Sequence, residues 1–193
     1  MSVSLRGLVL VALLGGAALV SGACTPYTVV QQSGPPSALL GVQEVQVRFD
    51  WSQVRLLGKT EAEYLAEKSA EEQQDFAKIK GETDAAILEG LAGEVGGGVR
   101  FVPGTTQPDP ATPSVVVQYV DVQTGIYTFA FNMPSKLLAR FMWAKGGQVT
   151  DVIDAKAMVG ADITTPSDHQ RMEMAGRSVG KAAGRFLLSA QGK

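Results

Sequence analysis

Few side chains in this sequence could do chemistry: one cysteine, one histidine and nineteen carboxylates. Cys24 has the most informative surroundings. Arg6 precedes an apolar run, Leu8 to Val20, that gives way to Ser21, Gly22 and Ala23 directly before the cysteine. Thirteen apolar residues are too few to cross a bilayer, which takes roughly 20, and match the h-region of a signal peptide. Small residues ahead of a cysteine let a narrow peptidase site reach the bond before a diacylated thiol. Residues 1–23 are therefore expected to be a lipoprotein signal peptide and Cys24 the lipid-modified N-terminus. Because Ser21 stands where a leucine is commoner, ordinary export with a free thiol is the alternative.

The remaining polar groups give weaker signals. His169 is expected in the first turn of the last helix, exposed and idle, and its neighbours Ser167 and Asp168 splay away from it on a helix and form no relay. With one histidine and one cysteine, neither a zinc site nor a Cys-His nucleophile is expected. Glu63, Glu67, Glu71 and Asp75, spaced by four, could offer oxygens to a hard cation, but a solvated helix face is the simpler expectation. Asp121, Asp151 and Asp154 fall in or near strands, and an odd separation sends Asp151 and Asp154 to opposite faces, which speaks against an acid/base pair. The glycines from Gly90 to Gly98 close a helix instead of opening one, so the positive dipole end that phosphate needs is absent there. No cofactor and no catalytic residue is expected.

Two groups of residues are candidates for contact. Gly125 to Pro134 carries Ile126, Tyr127, Phe129, Phe131 and Met133. It reads either as a half-buried strand with a bulge at Pro134 or as an exposed aromatic loop that docks on a protein or a bilayer. Gly176, Gly180 and Gly184 sit four apart inside a helix, each costing about 1 kcal/mol relative to alanine, so something must approach that backbone closely. Either another element of the same domain or a partner helix would do so.

The elements that must position these residues follow from periodicity. Residues 24–40, with three prolines after Thr25, read as a lipidated N-terminus and flexible tether, and residues 41–190 as one domain. Alternation of Val45, Val47, Phe49 and Trp51 with polar residues marks a strand at about 42–50. Thr60 to Glu63 and Ser69 to Glu72 are capping boxes, predicting a short helix at about 61–67 and a longer one at 70–95. Strands follow at 99–102 and 114–122. A hairpin of 136–144 and 149–159 turns at Gly146 and Gly147. The last helix is expected from a Thr165 cap with Pro166 at its first position. The order β-α-β-β-β-β-α predicts an α/β (α+β) two-layer sandwich, a four- to five-stranded mostly antiparallel sheet with two helices on one face. Ten acids in residues 61–94 and the basic row Arg177, Lys181 and Arg185 would then lie within reach of each other.

Composition bounds the partners. The chain of 193 residues has a net charge of −2; loss of residues 1–23 leaves 16 basic against 19 acidic residues, or −3. That balance gives no reason to expect nucleic acid. A lone cysteine forms no intrachain disulfide, so stability must come from packing. Acyl chains contribute about 0.8 kcal/mol per buried methylene, which makes a multiply acylated Cys24 a permanent membrane anchor.

Cys24, the Phe49 to Ser52 strand end, the acidic helix from Thr60 and the helix from Thr165 to Leu188 together resemble the small α/β lipoproteins of bacterial envelopes. Many of those are grouped only as domains of unknown function, with a layout similar to accessory lipoproteins of secretion, transport or cell-wall assembly. The resemblance implies a non-catalytic binding or scaffold lipoprotein acting through an envelope protein partner or as a homo-oligomer. Thr25, in place of the aspartate that retains such proteins at the inner membrane, implies the periplasmic face of the outer membrane. A carrier of an apolar ligand held between sheet and helices, and a carboxylate-based envelope hydrolase, are the other readings.

Overall fold

The computed structural model describes residues 26–104, 111–128, 130 and 132–193. Its sheet is built outward from β2 (Glu44–Asp50), whose Val45 and Val47 are buried while Arg48 faces solvent. The chain leaves β2 through β3 (Arg55–Leu56), β4 (Lys59–Thr60), α1 (Glu61–Ala66) and α2 (Ala70–Val95), and returns as β5 (Arg100–Pro103). Such a crossover delivers a parallel neighbour. β5 pairs parallel with β2 on one side, and β6 (Ser114–Gln123) pairs parallel with it on the other. β9 (Ser135–Lys145) lies antiparallel to β6, β10 (Gln148–Val159) antiparallel to β9, and β1 (Tyr27–Gln31) antiparallel to β10 at the far edge. β3 extends the row beside β6 and pairs with β4. α3 (Asp168–Ala190) follows and lies with α2 on one face of the sheet.

The two layers and the shared helix face are as expected, but the sheet is larger and more mixed. It has eight strands, and β2 makes its pairings in parallel. The expected four to five strands omitted β3 and β4, which at two residues each are too short to show a period, and β1, whose residues after Tyr27 are all exposed and do not alternate. β1 also corrects the tether. Tyr27 packs edge-on against Phe186, Leu39 is fully buried, and Ser33 donates its backbone N–H and hydroxyl to the buried Asp151. A proline-rich segment without periodicity is thus fastened down because a buried carboxylate needs its donors.

Local rules account for the elements that matter most. Both capping boxes close, Thr60 with Glu63 and Ser69 with Glu72. Gly146 and Gly147, at φ 63° and 76°, make the tight β9–β10 turn. Leu137, Ala139, Phe141 and Trp143 are buried on one face as the alternation requires. On β10 a bulge between Val149 and Asp151 interrupts the alternation and turns Val149 outward. α3 begins later than expected, with Ser167 at the N-cap position but making no side-chain capping hydrogen bond. Thr165 instead donates its hydroxyl to the Gly160 carbonyl.

The helices are packed through glycine. A Cβ on Gly180 would lie 2.2 Å from the Ile87 carbonyl oxygen, and one on Gly90 2.3 Å from that of Arg177. Gly176 meets Thr83 and Gly184 meets Leu91 and Glu94, so the contacts advance in step and α2 and α3 run parallel. The acidic and basic rows do meet along this seam, Arg177 with Glu89 at 2.7 Å and Arg185 with Glu94 at 2.9 Å. Such exposed pairs set orientation more than stability. At the sheet side, Trp51 stacks on Tyr119 with centroids 3.6 Å apart, and both donate to Asp84 on α2.

Candidate functional site

Arg171 lies in the first turns of α3, four residues before the buried Ala175, and is only 1% exposed. Among the described residues no carboxylate pairs with it. Its guanidinium is satisfied by neutral oxygens: Nη1 donates to the Thr165 and Pro166 carbonyls at 2.9 and 2.6 Å, and Nε to the Ser135 hydroxyl at 3.0 Å. Nη2 reaches the Thr124 carbonyl at 3.4 Å, and Ser135 donates its own hydroxyl to the same carbonyl. One buried cation therefore holds two chain segments, the loop before α3 and the base of the segment expected to be aromatic.

That segment is not a single strand, and its described residues Ile126, Thr128, Ala130 and Asn132 are exposed. β7 (Ile126–Tyr127) and β8 (Asn132–Met133) pair as an antiparallel ribbon separate from the main sheet. Gly125, at φ 80°, starts it, and a Cβ there would lie 2.6 Å from the Met133 carbonyl oxygen, so only glycine lets the two limbs cross. The ribbon turns back on itself, so the parity shared by Tyr127 and Met133 does not put them on one strand face. Ile126 is 45% exposed.

Beside the ribbon lies a cleft of about 300 Å³. Leu56, Phe76, Ile79 and Val122 form its apolar floor, Ile126 and Met133 one wall, and Tyr64 of α1 another. Lys68, Glu72, Asp75 and Asp168 stand on the rim. These acids are committed. Hydrogen bonds from the Ser69 backbone N–H, then the Lys68 ammonium and the Ser69 hydroxyl, hold Glu72 down at about 2, so it stays ionised and releases no proton at neutral pH. Asp75 accepts from His169 Nε2 at 2.9 Å.

His169 is not the idle group expected. It bridges Asp75 and Glu82 of α2 and is 21% exposed, tying the first turn of α3 to the neighbouring helix. Partial burial disfavours its charge, but hydrogen bonds to Glu82 and Asp75 outweigh that and raise its pKa above 6.5. Glu82 is lowered in return, chiefly by its bond to His169. Because the folded-state value of His169 lies above the unfolded one, the clamp's contribution is complete below about pH 6.5 and is lost as pH rises through the raised value. Urea midpoints between pH 6 and pH 9 should fall further for the parent than for His169→Gln. Equal slopes would show that the imidazole carries no linked charge.

The structure separates the other candidates. Cys24, Phe129 and Phe131 lie outside the described residues. Gly176, Gly180 and Gly184 are buried against α2, so the element that approaches them is intramolecular and they are not a partner surface. Asp151 and Asp154 point to opposite faces, the first to Ser33 and the second to Arg140 at 2.7 Å. Among the described residues no three metal-ligating side chains gather.

A mixed-sheet α+β sandwich with an apolar cleft and ribbon at one end is the class of protein these features define. No protein-family model matches the sequence, and no curated protein matches it. The fold is distantly similar to the PelC dodecamer from Paraburkholderia phytofirmans, at 11% identity and a TM-score of 0.42 over 81% of this chain and 96% of that one. A single-substitution variant of the same dodecamer gives 12% identity and 0.38 over 81% and 95%. Likenesses of that size carry no argument about activity or assembly.

Proposed function

We propose that this chain is a lipid-anchored, non-catalytic lipoprotein of the periplasmic face of the bacterial outer membrane that works by binding an envelope protein. The observation behind this reading is the β7–β8 ribbon with its cleft. A buried arginine, a glycine crossing and a serine hold an apolar protrusion in place, although the protrusion adds little to the core. Its exposed Ile126 beside a concave apolar floor is what a partner side chain would fill. The cysteine behind a short apolar leader supports the anchor. Self-association belongs to the same reading: β1 leaves an open edge with Val29 and Val30 exposed, where a second copy could extend the sheet.

A photo-crosslinking residue in place of Tyr127 should give one dominant adduct in intact envelopes, lost when Ile126→Ser and Met133→Ser are added. Mass spectrometry of the same protein should find acylated Cys24. An adduct pattern indifferent to those substitutions would remove the ribbon from the contact. The cleft's apolar floor, made by Leu56 and Val122 of the sheet and Phe76 and Ile79 of α2, also favours the carrier reading. Native mass spectrometry showing a co-purifying apolar molecule, displaced by Val122→Trp, would establish it.

A further inference from the structure

We infer that the end of β10 and the loop after it form a surface that rests on an anionic lipid bilayer. This rests on the lipid-anchor reading and adds to it the orientation of the domain. Strand register supplies the first argument. Reading β1 backwards, Gln31 opposes Val152 and Tyr27 opposes Ala155, so the chain at Pro26 heads towards Lys156 and Met158. Cys24 is two residues further upstream, which places it within about 7 Å of Pro26 at full extension. The anchor therefore enters the bilayer beside this end of the sheet, on a leash too short for the domain to turn its other end to the membrane.

The surface at that end has the matching chemistry. Met158 is 68% exposed and Ile163 83% exposed, the two most exposed large apolar side chains of the described residues. On the outer sheet face Met158 stands opposite Lys136, and Lys156 opposite Leu138. Among the described residues neither lysine pairs with a carboxylate, and Asp121 is the acid that shares their hollow. Apolar tips flanked by lysines whose stems lie along apolar surface are what the interface of an anionic membrane accepts. Ile163 is held for that purpose in an ordered loop. Asp162 accepts from the Thr164 and Thr165 backbone N–H groups at 2.8 and 3.0 Å, and Arg171 fixes the loop's exit. An isoleucine that a well-hydrogen-bonded loop keeps in water has no folding reason to be there.

The test is hydrogen exchange on the acylated protein, on vesicles of phosphatidylglycerol with phosphatidylethanolamine and on vesicles of phosphatidylcholine. Amides from Gly160 to Thr165 should exchange at least about threefold more slowly on the anionic vesicles. The Gly146–Gly147 turn at the opposite end should be unchanged. Lys136→Glu, Lys156→Glu and Ile163→Ser together should abolish the protection while leaving the thermal midpoint in place, since all three side chains are exposed. Equal exchange on both lipids, or protection at the 146–147 turn, would overturn the inference. The mass of Cys24 in the same sample keeps the two readings apart. Protection of the loop with an unmodified thiol would refute the anchor alone, and an acylated thiol with an unprotected loop would refute the surface alone.

Discussion

Gly180→Ala should destabilise the domain by about 2–4 kcal/mol, although alanine is the better helix former by about 1 kcal/mol. The added methyl would sit 2.2 Å from the Ile87 carbonyl oxygen and 3.0 Å from its carbon. Both are backbone atoms, so no rotamer change relieves the clash, and the helices must separate by about 1 Å along a seam that is otherwise close-packed. For a domain of this size each kcal/mol moves the thermal midpoint by roughly 2–4 °C, so a loss near 10 °C is expected. Gly90→Ala should behave alike, because its methyl would meet Arg177 from the other side. The double variant should cost less than the sum, since one widening serves both. Gly81→Ala supplies the opposite sign. It lies inside α2 with nothing within 4 Å of its Cβ position, so the same substitution should raise stability by up to about 1 kcal/mol. A Gly180→Ala protein as stable as its parent would mean that the helices do not approach this closely.

That contrast shows which parts of the molecule were legible. Four-residue glycine spacing in α3 did announce a close approach, because glycine inside a helix is otherwise a net loss. It did not name the partner, since Gly90 sits on α2 with no such pattern around it. Capping boxes and the Gly146–Gly147 turn were readable because each is a local device whose signal and effect lie within a few residues. β1 was hidden because Thr28, Val29, Val30 and Gln31 are all exposed and show no alternation, and the parallel β2–β5 and β2–β6 pairs were hidden because strand direction depends on the path of the intervening chain. The roles of Arg171 and His169 were missed for one reason: a charged residue on a helix reads as solvated. Yet Arg171 is four residues before Ala175 and eight before Val179, so the helical period puts it on the same buried stripe as those two apolar residues. Asp75 and Glu82, seven apart and so on one face of α2, were the signal for His169.

Arg171→Met should cost about 3–5 kcal/mol, a large part of a typical domain's 5–15 kcal/mol. Exchanging a buried cation for an apolar side chain of similar reach is often harmless when its partner is exchanged too. Here the acceptors stay behind. The Ser135 hydroxyl loses its donor in a buried place and the Thr165 and Pro166 carbonyls lose theirs in a part-buried one, and an unsatisfied buried group costs about 1–3 kcal/mol. Arg171→Lys should fall between, because an ammonium keeps the charge but does not span both segments as a planar fork does. Loss of stability alone would not distinguish this node from any core residue, whereas the pattern of hydrogen exchange does. Amides of residues 124–135 and 160–165 should open together in Arg171→Met at urea concentrations that leave β9 and β10 protected, because the arginine is what joins those segments to α3. Ser135→Ala added to Arg171→Met should cost less than it does in the parent, as a shared network requires. If the two segments opened independently, or if the double variant were additive, the ribbon and the loop would owe their position to separate contacts. The apolar end of the molecule would then be two structures and not one.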